Sequence, residues 1–258
     1  MNDDDPLLRQ ALRAVSQSFG KLYLAAAWPY LLVPVIVIAF RLILLRYVGR
    51  PQTVEPAELW RSMSVGAKLG VLVTFIATSW LPAGLAYASV ARSVLQSELS
   101  LGEVILSILR RFVPLAVLSV MLGIAITAGH IFFFFPGVFI ETFCAFAVPV
   151  MVMEKRGVFA SIGRSFSLTS RRFWEVLGVL IAAIVVAVLV YLAASAFLIP
   201  LIQPGSGPVN VPVFVIFLVL MLLIVPPLAM AVFGTSFVVL YSNLTKGEQA
   251  PVSGIAKT

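Results

Sequence analysis

The segment EKRGVFASIGRSFSLTSRRFW (residues 154–174) runs without a break into EVLGVLIAAIVVAVLVYLAASAFLI (residues 175–199). Placed on a helix at about 100° per residue, Val158, Phe159, Ile162, Phe166 and Phe173 share one face. Arg164, Arg171 and Arg172 share the other. A helix of this kind lies in the membrane interface, apolar side towards the acyl chains and cations towards lipid phosphates. From Val176 to Ile199 there is no charge. At ~1.5 Å per residue that run is long enough to cross ~30 Å of hydrocarbon. The unit is therefore an interfacial helix followed by a membrane span.

Composition agrees with that reading. Of 258 residues, 61% are hydrophobic and 11% charged, where a soluble domain carries roughly a quarter charged. The expected class is a polytopic membrane protein. The net charge of +7 sits in loops beside the spans. It reads as a topology signal and as contact with anionic lipid, not as a nucleic-acid surface. The single cysteine, Cys144, excludes a disulfide within the chain and a CxxC motif, and reads as a small buried apolar side chain.

Taken in order, the chain repeats the unit. The acidic start MNDDDPLL lacks the basic region and cleavage site of a secretory signal, so the expectation is a mature cytoplasmic N-terminus. Asp5 and Pro6 open a helix whose apolar face is Leu8, Leu12, Val15 and Phe19. A span follows from about Leu22 to Leu45. The loop from Arg46 to Lys68 is the longest hydrophilic one, and the second span is about Leu69 to Ala91. Ser100 and Glu103 form a capping box for a helix with Leu101, Ile105, Ile108 and Phe112 on one face. The third span is about Val113 to Phe134, turning at Phe135-Pro136-Gly137 into a fourth from Val138 to Met153. The sixth runs from about Val211 to Leu240, and the tail beyond Tyr241 is expected to fray. The apolar faces 8/12/15/19, 101/105/108/112 and 162/166/169/173 share one spacing, each just before a span. We read them as three copies of one hairpin unit.

The expected fold is thus all-α: six transmembrane helices as three hairpins, each preceded by a basic amphipathic interfacial helix. It forms one domain over residues 1–258, with repeat units of about 6–93, 100–153 and 156–244 and a flexible tail at 245–258. Arg9, Arg13, Lys21, Arg92, Arg110, Arg111, Lys155, Arg156, Arg164, Arg171, Arg172, Lys246 and Lys257 fall on one side, which makes that side and both termini cytoplasmic. The basic first outer loop, with Arg46, Arg50, Arg61 and Lys68, departs from this rule.

From Pro136 to Val185 the chain resembles a six-helix membrane domain. That domain precedes the catalytic domain of some bacterial glycerophosphoryl diester phosphodiesterases and also occurs alone in small inner-membrane proteins. Pro136-Gly137, the VPVMVME ending at Glu154, and the pattern Ala160, Arg164, Ser165, Leu168, Thr169, Phe173, Trp174 carry the resemblance, with VVLYSNL at 238–244. The chain departs from it at Ile140, Glu141 and Thr142, where an aromatic and a basic residue are usual. The phosphodiesterase activity of those proteins lies in a separate soluble domain. The resemblance therefore implies architecture and a bacterial inner-membrane location, not catalysis.

Chemistry is sparse. There is no HExxH, GxGD, GxSxG or Walker lysine loop, His130 is the only histidine, and aspartate occurs only at positions 3–5. We expect no enzyme, no metal and no cofactor. Ionisable groups inside spans are the default functional candidates: Arg41, His130 and Glu141, all near the outer leaflet. They read as a polar gate or substrate contact, or alternatively as a structural pair with Arg41 snorkelling to headgroups. Arg110, Arg111, Arg164, Arg171 and Arg172 read as the surface for anionic lipid, a protein partner or a second copy. Prolines inside four spans free backbone carbonyls, a device transporters use for midplane sites. The functional expectation is a non-enzymatic scaffold or accessory subunit organising lipid or a partner. The alternative is a small transporter or lipid-handling protein with a polar site among the proline-broken helices.

Overall fold

The computed structural model of the protein describes residues 7–31, 33, 61, 64–132, 134–202 and 224–249. Arg41 and most of the first outer loop lie outside them. All regular structure among the described residues is helical. Helix α1 spans Leu7–Ala27 and is kinked at Ser18 (φ −133°, ψ 24°), and a 3-10 turn follows at Trp28–Leu31. Then come α2 (Val65–Leu95), α3 (Leu101–Leu109), α4 (Phe112–Phe132), α5 (Phe134–Cys144), α6 (Ala147–Met153), α7 (Val158–Arg171) and α8 (Phe173–Ile202). The chain ends in a helical turn at 224–229, a π-turn at Met230–Gly234 and α9 (Thr235–Gln249). Among the described residues, three stretches are long and apolar enough to cross a membrane: Phe112–Phe132, Phe135–Met153 and Ile224–Lys246. This is a membrane protein.

Helix α2 is the centre, touching α1, α4, α6, α9 and the π-turn. Its Leu85 and Ala88 join Ile108, Leu115, Leu118 and Met151 in one buried cluster, while Ala86 and Val90 meet Leu22, Ala26 and Tyr30 in another. Pro82 lies within α2. The capping box closes as the spacing predicts. The Ser100 N–H and hydroxyl both donate to the Glu103 carboxylate at 2.8 Å, and Glu103 N–H donates to Ser100 Oγ at 3.3 Å. Those donations, the backbone one first, hold the Glu103 carboxyl below the usual range.

Three boundaries differ from the sequence reading. The connection between α4 and α5 falls before Phe134, so Pro136 and Gly137 lie in the first turn of α5, where a proline displaces no helical hydrogen bond. The predicted fourth span is two helices, α5 and α6, with a break at Ala145–Phe146. The polar stretch after Leu240 does not fray at Tyr241. α9 continues to Gln249, because Tyr241 is buried and donates to Glu154, and Asn243 Nδ2 donates to Gln10 Oε1 at 3.3 Å.

The inward side of α7 carries hydroxyls, and its large aromatics point outward. In α7 the buried residues are Ser161, Ser165, Leu168 and Thr169, while Phe159 is 76% exposed and Phe166 51% exposed. In lipid, apolar side chains gain nothing by leaving the surface, whereas hydroxyls gain by finding partners inside. Phe166 stacks on Phe143 of α5, ring centroids 4.0 Å apart, and Phe173 stacks on Phe139 at 5.6 Å. That aromatic ladder fixes α7 and the start of α8 against α5.

The turn from α6 to α7 holds Lys155 in the left-handed region, φ 57°. This conformation costs a non-glycine residue roughly 1–2 kcal/mol. Lys155→Gly is therefore expected to raise stability by up to about 1 kcal/mol, and Lys155→Val to lower it by at least as much. Thermal unfolding of the detergent-purified variants checks both. Equal midpoints for glycine and valine would refute the strain.

Candidate functional site

The site is assembled at the break between α5 and α6. Pro149 has no amide hydrogen, so the carbonyl four residues before it, Ala145, lacks a helical donor. The Tyr87 hydroxyl of α2 supplies one at 2.9 Å. Ser165 serves the neighbouring groups: it donates to the Phe143 carbonyl at 2.7 Å and accepts the Phe146 N–H at 3.0 Å. The Thr169 hydroxyl reaches the Thr142 carbonyl at 3.4 Å. Three side chains thus satisfy a helix interruption inside an apolar bundle, where an orphaned backbone group costs several kcal/mol.

Guanidinium groups hold the other end of α6. Arg111 donates to the Met151 carbonyl at 3.2 Å and Arg92 to that of Val152 at 3.5 Å, placing cations at the negative end of the helix dipole. Glu154 caps the helix. Its carboxylate pairs with Arg156 at 2.7 Å and Arg164 at 3.5 Å, and accepts the Tyr241 hydroxyl at 3.1 Å. Of the five arginines read from the sequence as lipid- or partner-facing, Arg111 and Arg164 turn inward to these partners. Arg110, Arg171 and Arg172 stay exposed, Arg172 beside Glu175.

A cavity of about 400 Å³ opens on the inner side of the break. The 3-10 turn and helices α2, α4, α5, α6 and α8 line it, together with the π-turn. Its wall is largely aliphatic and aromatic, with Tyr30, Trp80, Tyr87, Phe233 and Phe237 supplying the rings. Two polar features stand out. Ser119 on α4 is 3% exposed, and its hydroxyl has no hydrogen-bond partner among the described residues. Glu141 on α5 is the only charged side chain in the wall among the described residues. The π-turn Met230–Gly234 follows Pro226 and Pro227 and sets Phe233 into the cavity. Turns of that type are frequent at functional sites.

Two of the three ionisable candidates lie among the described residues. Glu141 faces the cavity. His130 does not line it. Its Nδ1 lies 2.8 Å from the Ile126 carbonyl, which requires Nδ1–H as donor, and its ring covers Gly137. The His130 charge bears on Glu141 electrostatically, but no hydrogen bond or ion pair joins the two. Arg41 is outside the described residues.

Compared with protein-family models, with curated proteins and with solved structures, the chain matches none. The site must therefore be read from its own geometry.

Sequence reasoning missed most of the wall. Cys144, read as a buried apolar residue, is partly exposed and lines the cavity. Tyr87 and Ser119 carried no local signal, since their roles depend on partners on other helices. The hydroxyls of Ser161, Ser165 and Thr169 did carry one: they recur every fourth residue on a helix that otherwise presents phenylalanine. Counting four residues back from Pro149 also marks Ala145 as a carbonyl needing a donor.

Proposed function

We propose that this protein is a non-enzymatic, multi-pass protein of the bacterial inner membrane that handles an apolar, lipid-like molecule in its cavity. The observation carrying this reading is the chamber itself. It is a preformed apolar space of about 400 Å³ with one unpartnered hydroxyl and one carboxylate in its wall, the composition of a small-molecule site. A cavity lined by hydrocarbon inside a membrane protein is open to lipid-soluble molecules. Interrupted helices border the chamber as well, the broken α5–α6 helix and the π-turn.

In this reading the chain makes six spans in three hairpins with both termini cytoplasmic, as in the membrane domain it resembles. α2 and α8 are the second and fifth spans, and the first and sixth extend into residues outside those described. The exposed arginines Arg110, Arg171 and Arg172 then lie at the cytoplasmic interface, where they hold anionic headgroups. The scaffold reading uses the same surface and places the function in a protein partner or a second copy.

The test begins with extraction into native nanodiscs and mass spectrometry of the particle, followed by delipidation in neutral detergent. The expected result is a particle enriched in one apolar species that survives delipidation and slows alkylation of Cys144, the only thiol. At ten times its Kd such an occupant slows the reaction about tenfold. Ala183→Trp, which fills the chamber from α8, is expected to lose the species. A stoichiometric second protein with no retained apolar molecule, or equal retention by Ala183→Trp, overturns the proposal.

A further inference from the structure

We infer that the cavity selects a lipophilic cation, a drug-sized molecule whose positive charge pairs with Glu141 while its apolar body stacks on the aromatic wall. The inference rests on the reading of this cavity as a ligand site and adds the chemistry of the ligand.

Three observations lead there. The first is charge. Among the described residues, Glu141 is the single ionisable acid or base of the ordinary pH range in the wall, and no lysine, arginine or histidine lines it. No described residue forms a hydrogen bond or ion pair with its carboxylate, although the chain carries 18 lysines and arginines against 11 acids. The basic side chains nearest the α5–α6 break are committed elsewhere: Arg111 and Arg92 to the carbonyls of α6, and Arg164 to Glu154. A carboxylate kept in an apolar wall is costly, and a ligand cation is a group that offsets the cost.

The second is the ring set. Tyr30, Trp80, Tyr87, Phe233 and Phe237 come from the 3-10 turn, from α2 and from the C-terminal helix, so they surround the chamber on more than one side. Aromatic faces attract cations as well as apolar surface, and a site with both rings and a carboxylate favours a cation over a neutral molecule of equal shape. An anion meets repulsion from Glu141.

The third is size. A chamber of about 400 Å³ holds a drug-sized molecule. Among the described residues the wall has no clamp for a phosphate, since no basic side chain lines it. Anionic headgroups are served instead at the exposed arginines, so the two kinds of lipophile are sorted to different places by charge.

Tetraphenylphosphonium and tetraphenylborate have the same shape and opposite charge, which makes them the direct probes. Binding of each is measured by equilibrium dialysis against the purified full-length protein in neutral detergent, with the membrane lipid extract as competitor. The expected result is saturable binding of the phosphonium, at least tenfold tighter than of the borate. Glu141→Gln should lose most of that preference, Glu141→Asp should keep part of it, and both should elute as folded protein. Phosphonium and borate binding equally to the wild type would overturn the cation inference, as would Glu141→Gln keeping the full preference. If neither ion binds but lipid extract still protects Cys144, the cation inference fails and the apolar site stands. If neither ion binds and Cys144 is unprotected by anything, both fail.

Discussion

Replacing Ser165 with alanine is expected to lower the stability of the folded protein by about 2–4 kcal/mol, a large effect for one hydroxyl. The reason is the number of groups that depend on it. Ser165 Oγ donates to the Phe143 carbonyl and accepts from the Phe146 N–H, and both belong to the helix break. Ser165 itself is fully buried. Alanine leaves two backbone groups unpaired in an apolar surrounding, each costing about 1–3 kcal/mol. Ser167 is two residues away on the exposed side of the same helix, and Ser167→Ala is expected to change stability by no more than about 0.5 kcal/mol. The comparison is made by denaturant or thermal unfolding of the purified proteins in one detergent. Matching losses for the two variants would show that the break does not depend on α7. The same change should also loosen the cavity, since α5 and α6 contribute Glu141, Cys144 and Val148 to its wall.

The Ser165 contact also shows what the sequence could and could not reveal. Helix α7 was legible: the segment reads as amphipathic from Val158 onward, and the structure places it at Val158–Arg171. So was the capping box at Ser100, because all its groups lie within four residues. The inward side of α7 was not legible. The wheel turns Phe159 and Phe166 towards lipid, and both are exposed in the structure. It does not show what the hydroxyls on the other side meet, which follows only once α5 and α6 are known to be separate helices with unpaired groups between them. Pro149 points to Ala145 by simple counting, but the donor is Tyr87, 58 residues away. Likewise the tail from Tyr241 looked loose because its partners, Glu154 and Gln10, are 87 and 233 residues distant. Glu141 could be picked out as an ionisable group in an apolar run. That it faces a chamber and His130 does not follows from how α4 and α5 pack, which is a long-range property.

The packing of α4 on α5 turns on two glycines, and Gly129→Val is expected to be the most damaging single change outside the break. A Cβ at Gly129 would come 2.8 Å from Gly137 Cα and 2.9 Å from Gly137 N. Both are backbone atoms, so no rotamer change relieves the clash and the two helices must separate. Overpacking of this kind typically costs 1–3 kcal/mol and sometimes more, and with backbone on the receiving side we expect about 3 kcal/mol or more. Gly137 is equally constrained from its other side, because its own Cβ would run into the imidazole of His130. The sequence reading took Pro136-Gly137 for the turn itself. In the structure Gly137 is a contact residue that lets α4 and α5 approach closely, the use of small residues expected between helices in lipid. Gly102 is the control, since nothing lies within 4 Å of a Cβ placed there. Gly102→Ala should be neutral or slightly stabilising through better helix propensity. Folded yield and unfolding midpoint, read for Gly129→Val, Gly129→Ala and Gly102→Ala side by side, decide the matter. A graded loss from alanine to valine at position 129, with none at 102, is the expected pattern. A Gly129→Val protein as stable as wild type would mean that α4 and α5 are not held at this distance, and the position assigned to Glu141 in the cavity wall would fall with it.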